Sequence, residues 1–339
     1  MARAKSIVVG SRSDALAALH CERACAALRE AHPHGVFVSA RESAGLSTNG
    51  RHRGAARSKA AVVAAECAGE TSRRFDPRRG VGAVIQQLLK DEIDIAVVDA
   101  RWLPLQLAAP VEIVAVLERT NPFDVLMSCE DLILDEQPNK ASIAVVDAVK
   151  RGQLLYYRPD LKIVERTDDF KRLFEAMRRG AIDAFVYPAA DVEALNQQQN
   201  VVEVFTTSIC TPPGGQGAQV LLARRDRRDV GALARDLNDP SAASEIELER
   251  MLLEHLARDG RGPVGVLGNV EEPVFELEAA IAAPDGTEKI SATVGGSLSE
   301  RSKIVLRLAA ELLASGGEEI LAPYRRARSG GWLVCSIGN

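Results

Sequence analysis

The chain has 339 residues, a net charge of −5 and a hydrophobic content of 46%, enough for two or three globular domains. That balance excludes a globally basic nucleic-acid or membrane-surface protein, and an aromatic content of 4% leaves few rings for a base-stacking platform. No apolar run approaches the ~18 residues of a membrane span, the N-terminus does not read as a signal peptide, and six scattered cysteines form no C-x-x-C pair, so the expectation is a cytoplasmic protein with reduced thiols and no metal site.

Residues 6–9 (SIVV) predict a buried strand, and residues 14–31 a helix with a stripe of Leu16, Leu19, Ala24 and Leu28. Strand, helix and strand follow over 35–40, 81–91 and 93–98, the grammar of an α/β fold. Residues 46–80 between them are rich in Arg, Gly, Ser and Ala, and predict a solvated loop around a short Ala-rich helix. After residues 112–129 the grammar restarts. Strands are predicted at 141–147, 161–165, 182–188 and 201–207, with a helix over 168–180 capped by Asp168 and ended by Gly180. A Pro/Gly loop from Cys210 leads into one more strand. The last region opens with a helix carrying Ile246, Leu248, Leu252, Leu253 and Leu256, which stops in a turn around Gly260 and Gly262. A strand, an Asp285-Gly286 hairpin turn and a second strand are predicted over 275–296, then one long helix over 299–321. The tail, 324–339, has no strong pattern and is expected to trail outside the fold.

Several local patterns stand in one order: VVGSRSDALA, ERTNPFDVL, ERTDDFKRLFEAMRRGAIDAFVYPAADVEAL, PPGGQGAQV, LND, ELERMLLEHL, PVG and LLASGGEEIL. This order resembles the porphobilinogen deaminase (hydroxymethylbilane synthase) family, from Ile7 to Leu321. The resemblance implies an α/β protein of two lobes like those of type II periplasmic binding proteins. The first lobe would take residues 1–118 and 212–233 and the second 119–211, with a small C-terminal α+β domain at 236–323. It also implies an enzyme that joins four porphobilinogens head to tail and releases ammonia. In that family a loop cysteine holds a dipyrromethane cofactor by a thioether bond, an aspartate stabilises cationic pyrrole intermediates, and arginines grip acetate and propionate groups. The residue types suit the chemistry. Arg forks match carboxylates bidentately, a fixed carboxylate stabilises a developing azafulvenium cation, and a thioether anchor needs a nucleophilic Cys on a reachable loop.

By the resemblance the substrate-binding set is Ser11 and Arg12 of the first-strand motif, Arg101, Lys150, Arg151, Arg166, Arg172, and Gln216 with Gly217 of the G-Q-G-A loop. Asn121, Pro122 and Asp124 match the interdomain hinge. The departures from the family pattern are sharper. H-S-x-K-D-x-P becomes VDARWLP, so Trp102 stands where the catalytic aspartate belongs, and strand alternation aims nearby Asp99 elsewhere. A-G-L-x-R-L becomes ADVEAL, with Ala194 in place of a binding arginine; S-T-x-G-D becomes ESAGL, with Leu46 in place of an acid; a Lys-Glu step becomes Gly82-Ala83. Counting the cofactor loop forward from Glu249 and Arg250, and back from Pro263 and Gly265, puts Gly260 at the cysteine. No catalytic residue and no covalent cofactor are therefore expected. The reading is an inactive or rewired paralogue that binds a carboxylated pyrrole or linear tetrapyrrole, with a tetrapyrrole-pathway protein as candidate partner and neither nucleic acid nor membrane. Two alternatives stay open: an active hydroxymethylbilane synthase with substitute groups, and an interaction or regulatory protein with an empty cleft whose basic loop 51–59 contacts a partner.

Overall fold

A computed structural model of the chain describes residues 6–40, 77–166, 168–257 and 262–326. The readings placed on Leu46, on most of the basic loop 46–80 and on Gly260 lie outside the described residues.

The first lobe is built from β1 (Ile7–Gly10), α1 (Ala15–Ala31), β2 (Phe37–Ser39), α2 (Pro77–Leu89), β3 (Ile95–Asp99) and β4 (Val111–Val116), completed by a later strand, β10 (Gln219–Arg224). Its sheet runs β2-β1-β3-β10-β4, with β1, β2 and β3 parallel and β10 antiparallel to both its neighbours. The Asp14 carboxylate accepts from the Ala17 amide and starts α1. The face that α1 buries is Ala17, Ala18, Cys21, Ala24, Cys25 and Leu28. Leu16 and Leu19, predicted in that stripe, are only half-buried. Small side chains let the helix lie close on the sheet, and the two cysteines serve as small hydrophobes in that contact.

The second lobe repeats the plan with β5 (Asp124–Ser128), β6 (Ser142–Val145), α3 (Ala148–Tyr157), β7 (Lys162–Glu165), α4 (Phe170–Arg178), β8 (Ala184–Pro188), α5 (Ala189–Ala194) and β9 (Glu203–Val204). The order is β7-β6-β8-β5-β9, with β5 antiparallel to its neighbours. In each lobe the antiparallel strand is the one the chain brings in from the other lobe. Two lobes of this shared order, joined by two crossings, are the architecture of type II periplasmic binding proteins. The cap of α4 is Asp169, whose carboxylate accepts from the Arg172 amide, and not the predicted Asp168, which pairs with Arg166 instead.

After α6 (Arg228–Arg235), the C-terminal α+β domain has α7 (Pro240–Leu256), a meander β11 (Val264–Glu271), β12 (Val274–Ala282) and β13 (Lys289–Ser297), then α8 (Arg301–Leu312) and α9 (Glu318–Arg326). Its core packs Leu248, Leu252 and Leu256 of α7 against Val266, Leu277, Ile281, Leu308 and Leu312. β11 falls where the sequence predicts no strand. The single long helix predicted over 299–321 is two helices, bent where Gly316 takes φ +112°. The second of them runs on to Arg326, into the predicted tail. No helix among the described residues is long and apolar enough to cross a membrane.

Candidate functional site: the cleft between the lobes

The carboxyl ends of β1, β3, β6 and β8 face one crevice, the usual ligand position in open α/β sheets. At the end of β3 the chain turns through a single 3-10 turn, Ala100–Trp102, and the Asp99 carboxylate caps it by accepting from the Arg101 amide at 2.9 Å. The Arg101 side chain folds back onto the same carboxylate: Nε lies 3.0 Å from Asp99 Oδ2, and Nη2 reaches Asp191 Oδ2 at 2.8 Å. Asp191 sits in α5 of the second lobe, so this guanidinium, 5% exposed, bridges the two lobes. Burial alone would raise Asp99, but the charge and hydrogen bonds of Arg101 hold its carboxyl below the usual range. Asp191 is raised, because its burial and the repulsion of Asp99 outweigh its share of Arg101.

A second cation lies deeper. Asp147 caps α3 by accepting from the Lys150 amide, and Lys150 Nζ reaches back to Asp147 Oδ2 at 2.5 Å and to Asp124 Oδ1 at 3.4 Å. Lys150 and Asp124 are both fully buried. Burial pushes the Asp124 carboxyl up, Lys150 pulls it back, and it settles at about 6. Burial opposes the charged form of Lys150, yet the two aspartates hold its ammonium above the ordinary value. Gln216 joins the two cations. Its amide oxygen lies 3.4 Å from both Arg101 Nη1 and Lys150 Nζ, and its amide nitrogen donates to Pro122 O at 2.8 Å and Asp124 Oδ1 at 3.0 Å.

The Pro/Gly loop that carries Gln216 is held by backbone contact. Gly215 has φ +84°, and a Cβ there would lie 2.6 Å from the Ala100 carbonyl carbon; only glycine fits. The Gly217 carbonyl accepts from both the amide and the hydroxyl of Thr120 at 2.9 Å, so it fastens one crossing of the hinge to the other. Beside it Arg119 Nη1 donates to Glu249 Oε1 at 2.6 Å, while Glu249 Oε2 accepts from the Gly215 amide at 2.6 Å. That node locks α7 of the third domain to the hinge.

The remaining predicted residues sit around this centre. Ser11 Oγ donates to the Arg12 carbonyl. Arg12 pairs with Asp14 at 3.1 Å, and its charge reaches Asp99. Arg166 pairs with Asp168 at 2.7 Å and is 34% exposed; Arg172 on α4 is exposed; Arg151 reaches Glu165 at 3.5 Å and donates to the Pro284 carbonyl. Arg101, Lys150 and Gln216 are thus in one buried network, with Gly217 as its fastening. Arg151, Arg166 and Arg172 lie outside that network on the second lobe.

Sequence reasoning missed the acids. Asp191 stands at the glycine of the A-G-L-x-R-L pattern and Asp99 at the serine of H-S-x-K-D-x-P. The two segments that lost an arginine and an aspartate each gained a carboxylate nearby, and both new carboxylates bind Arg101. Trp102 packs against the first-lobe core, with the Arg101 guanidinium carbon 5.6 Å from its ring centroid. Cys210, the cysteine beside Lys150 and Asp124, is fully buried, and burial followed by the charge of Asp124 pushes its thiol well up. It is no thiolate nucleophile. Cys21 and Cys25 are also buried, and Cys129 is at the far end of β5 from the hinge. None of these four fits as the anchor of a thioether-linked cofactor.

The sequence matches the family described as "Porphobilinogen deaminase, dipyromethane cofactor binding domain" over residues 80–232. A porphobilinogen deaminase of Pelotomaculum thermopropionicum is 33% identical over 241 residues, 71% of this chain and 76% of that one. One from Moorella thermoacetica is 33% identical over 243 residues, 72% and 77% of the two chains. One from Thermus thermophilus is 29% identical over 320 residues, 94% of this chain and 99% of that protein. With a third of its residues shared over most of both chains and the two-lobed hinge intact, the protein belongs to the porphobilinogen deaminase family.

Proposed function

We propose that this protein is a non-catalytic member of the family that binds a carboxylated pyrrole or linear tetrapyrrole in the interlobe cleft without joining pyrrole units. The observation behind this reading is the internal pairing of Arg101 with Asp99 and Asp191. Asp99, at the end of the same strand, is committed to a guanidinium, and Trp102 takes the place of the family's aspartate. Loss of such an electrostatic stabiliser costs about 10²–10³ in rate. With Gly260 at the anchor position and no suitable thiol beside the hinge among the described residues, a covalent dipyrromethane is not expected.

Binding has two sources of cation. Arg166 and Arg172 reach solvent, and Arg12 lies near the Asp99 end of the cleft. A ligand carboxylate can also take the place of Asp191 on Arg101. A linear tetrapyrrole titrated calorimetrically should therefore bind wild type, bind more tightly to Asp191→Asn, and bind roughly tenfold or more weakly to Arg12→Ala, Arg166→Ala and Arg172→Ala, at about 1.5–3 kcal/mol per charge-assisted contact. Porphobilinogen should give no uroporphyrin above background, and intact mass should show no pyrrolic adduct. Uroporphyrin formed at a robust rate by wild type would refute the reading. A second reading, an interaction protein with a closed cleft, is favoured by the Arg101–Asp191 bridge itself. Failure of both wild type and Asp191→Asn to bind leaves that second reading standing.

A further inference from the structure

The sheet of the C-terminal domain has two edges, and the fold treats them differently. β11 is covered along its length: the Val266 amide donates to the Pro212 carbonyl, the Gly268 amide to the Glu249 carboxylate and the Val270 amide to the Glu245 carboxylate. β13, at the other edge, is nine residues long, and among the described residues its backbone makes no hydrogen bond beyond its ladder with β12. The end strands of the two lobes are short or occupied. β2, β7 and β9 have three, four and two residues, and β4 is bonded at Val111 and at Val116. A long open edge is a template for pairing with another chain, and soluble proteins blunt such edges with a bulge, a proline or a charge. Over residues 290–297 β13 has no proline and no charge, and its register with β12 is unbroken.

The side chains of β13 point to the strand that fits. Ile290, Ala292 and Val294 pack on the domain core, yet all three are only half-buried; Ser291, Thr293 and Gly295 lie on the other face and are exposed. An added strand must continue the core face, so 290, 292, 294 and 296 have to meet core-facing residues of the newcomer. A second β13, antiparallel about Thr293, meets that condition. It sets Ile290 against Gly296, Val294 against Ala292, Ser291 against Gly295 and Thr293 against its own copy. Each core-face pair is then large against small, and the central Thr–Thr pair is a favourable cross-strand contact. The one charge of the strand, Lys289, faces Ser297, so no like charges are opposed. An axis at Ala292 would set Ile290 against Val294, and one at Val294 would set Val294 against itself, bulk on bulk in both cases.

We infer that two copies of this chain pair through β13, antiparallel about Thr293, and join their three-stranded sheets into one of six strands. Light scattering on the purified full chain should give twice the 36.4 kDa of one copy. Thr293→Lys alters an exposed side chain and sets two lysines face to face across the axis, so it should return the protein to a monomer. Thr293→Glu should do the same. An equal mixture of the two variants should recover the dimer, since lysine then faces glutamate, and a variant that had merely misfolded could not recover in this way. A wild type that stays monomeric at every concentration reached overturns the inference. So does a dimer that both single variants leave intact, which would place the interface elsewhere, and so does a mixture of the two that stays monomeric.

Discussion

Lys150 and Arg101 are two cations facing four aspartates inside the protein, and their partners show how the site divides the work. Lys150→Met would leave Asp124 and Asp147 without their buried partner. The expected loss is about 3–5 kcal/mol, read from the urea midpoint. Asp124 sets a pH signature. Its folded-state value of about 6 lies above the ordinary carboxylate value of 3.8, so between these values the folded state holds a proton that the unfolded chain has released. Its contribution is fully present below 3.8 and is lost as pH rises through about 6. Asp99 works with the opposite sign: depressed by Arg101, it supports the fold above 3.8 and withdraws only in stronger acid. Asp124→Asn should therefore flatten the stability profile between pH 3.8 and about 6, with the acid limb below retained, as followed by thermal melts across that range. Much of the network was legible, since Arg101, Lys150 and Gln216 fall on recognisable patterns. The aim of Asp99 was not. Alternation along a strand stops applying where the strand gives way to a 3-10 turn, and the carboxylate that caps the turn swings onto Arg101.

Among the elements, α7 and the Pro/Gly loop hold the hinge by contacts no periodicity reveals. Glu249 falls on the buried side of an ordinary amphipathic helix, yet its carboxylate accepts from Arg119 and from the Gly215 and Gly268 amides. Glu249→Ala should cost at least ~3 kcal/mol, because it strands two amides and half of a buried ion pair; denaturant unfolding checks it. Gly215→Ala should cost more than ~1 kcal/mol in the same assay, since the added Cβ meets the Ala100 backbone at a positive φ. The sequence also hid β11. Its Gly265 and Gly268 break the apolar alternation, but both allow close approach of another backbone: a Cβ at 265 would lie 2.3 Å from Thr211 O, and one at 268 would lie 3.3 Å from Glu245 O. These two glycines are packing surfaces, and Gly316 makes a bend between two helices where one continuous helix was expected.

At the scale of the whole molecule, the repeated strand–helix grammar exposed two α/β lobes, while the pairing of strands distant in sequence came only from the fold. β10 fills the slot between β3 and β4, although about a hundred residues of second lobe separate it from β4. A fragment of residues 1–118 should therefore melt without cooperativity, lacking the strand that joins β3 to β4. A fragment of 119–211 holds all five strands of its sheet and should show a cooperative transition by circular dichroism. The same interleaving imposes an order on the nascent chain. Translation delivers β4 early but β10, its sheet neighbour among the described residues, late, so the second lobe closes while the first still waits with an open seam. A ribosome that stalls between residues 116 and 219 would hold out a half-built sheet whose exposed strands invite chaperone capture or proteolysis, even though most of the first lobe has already been made.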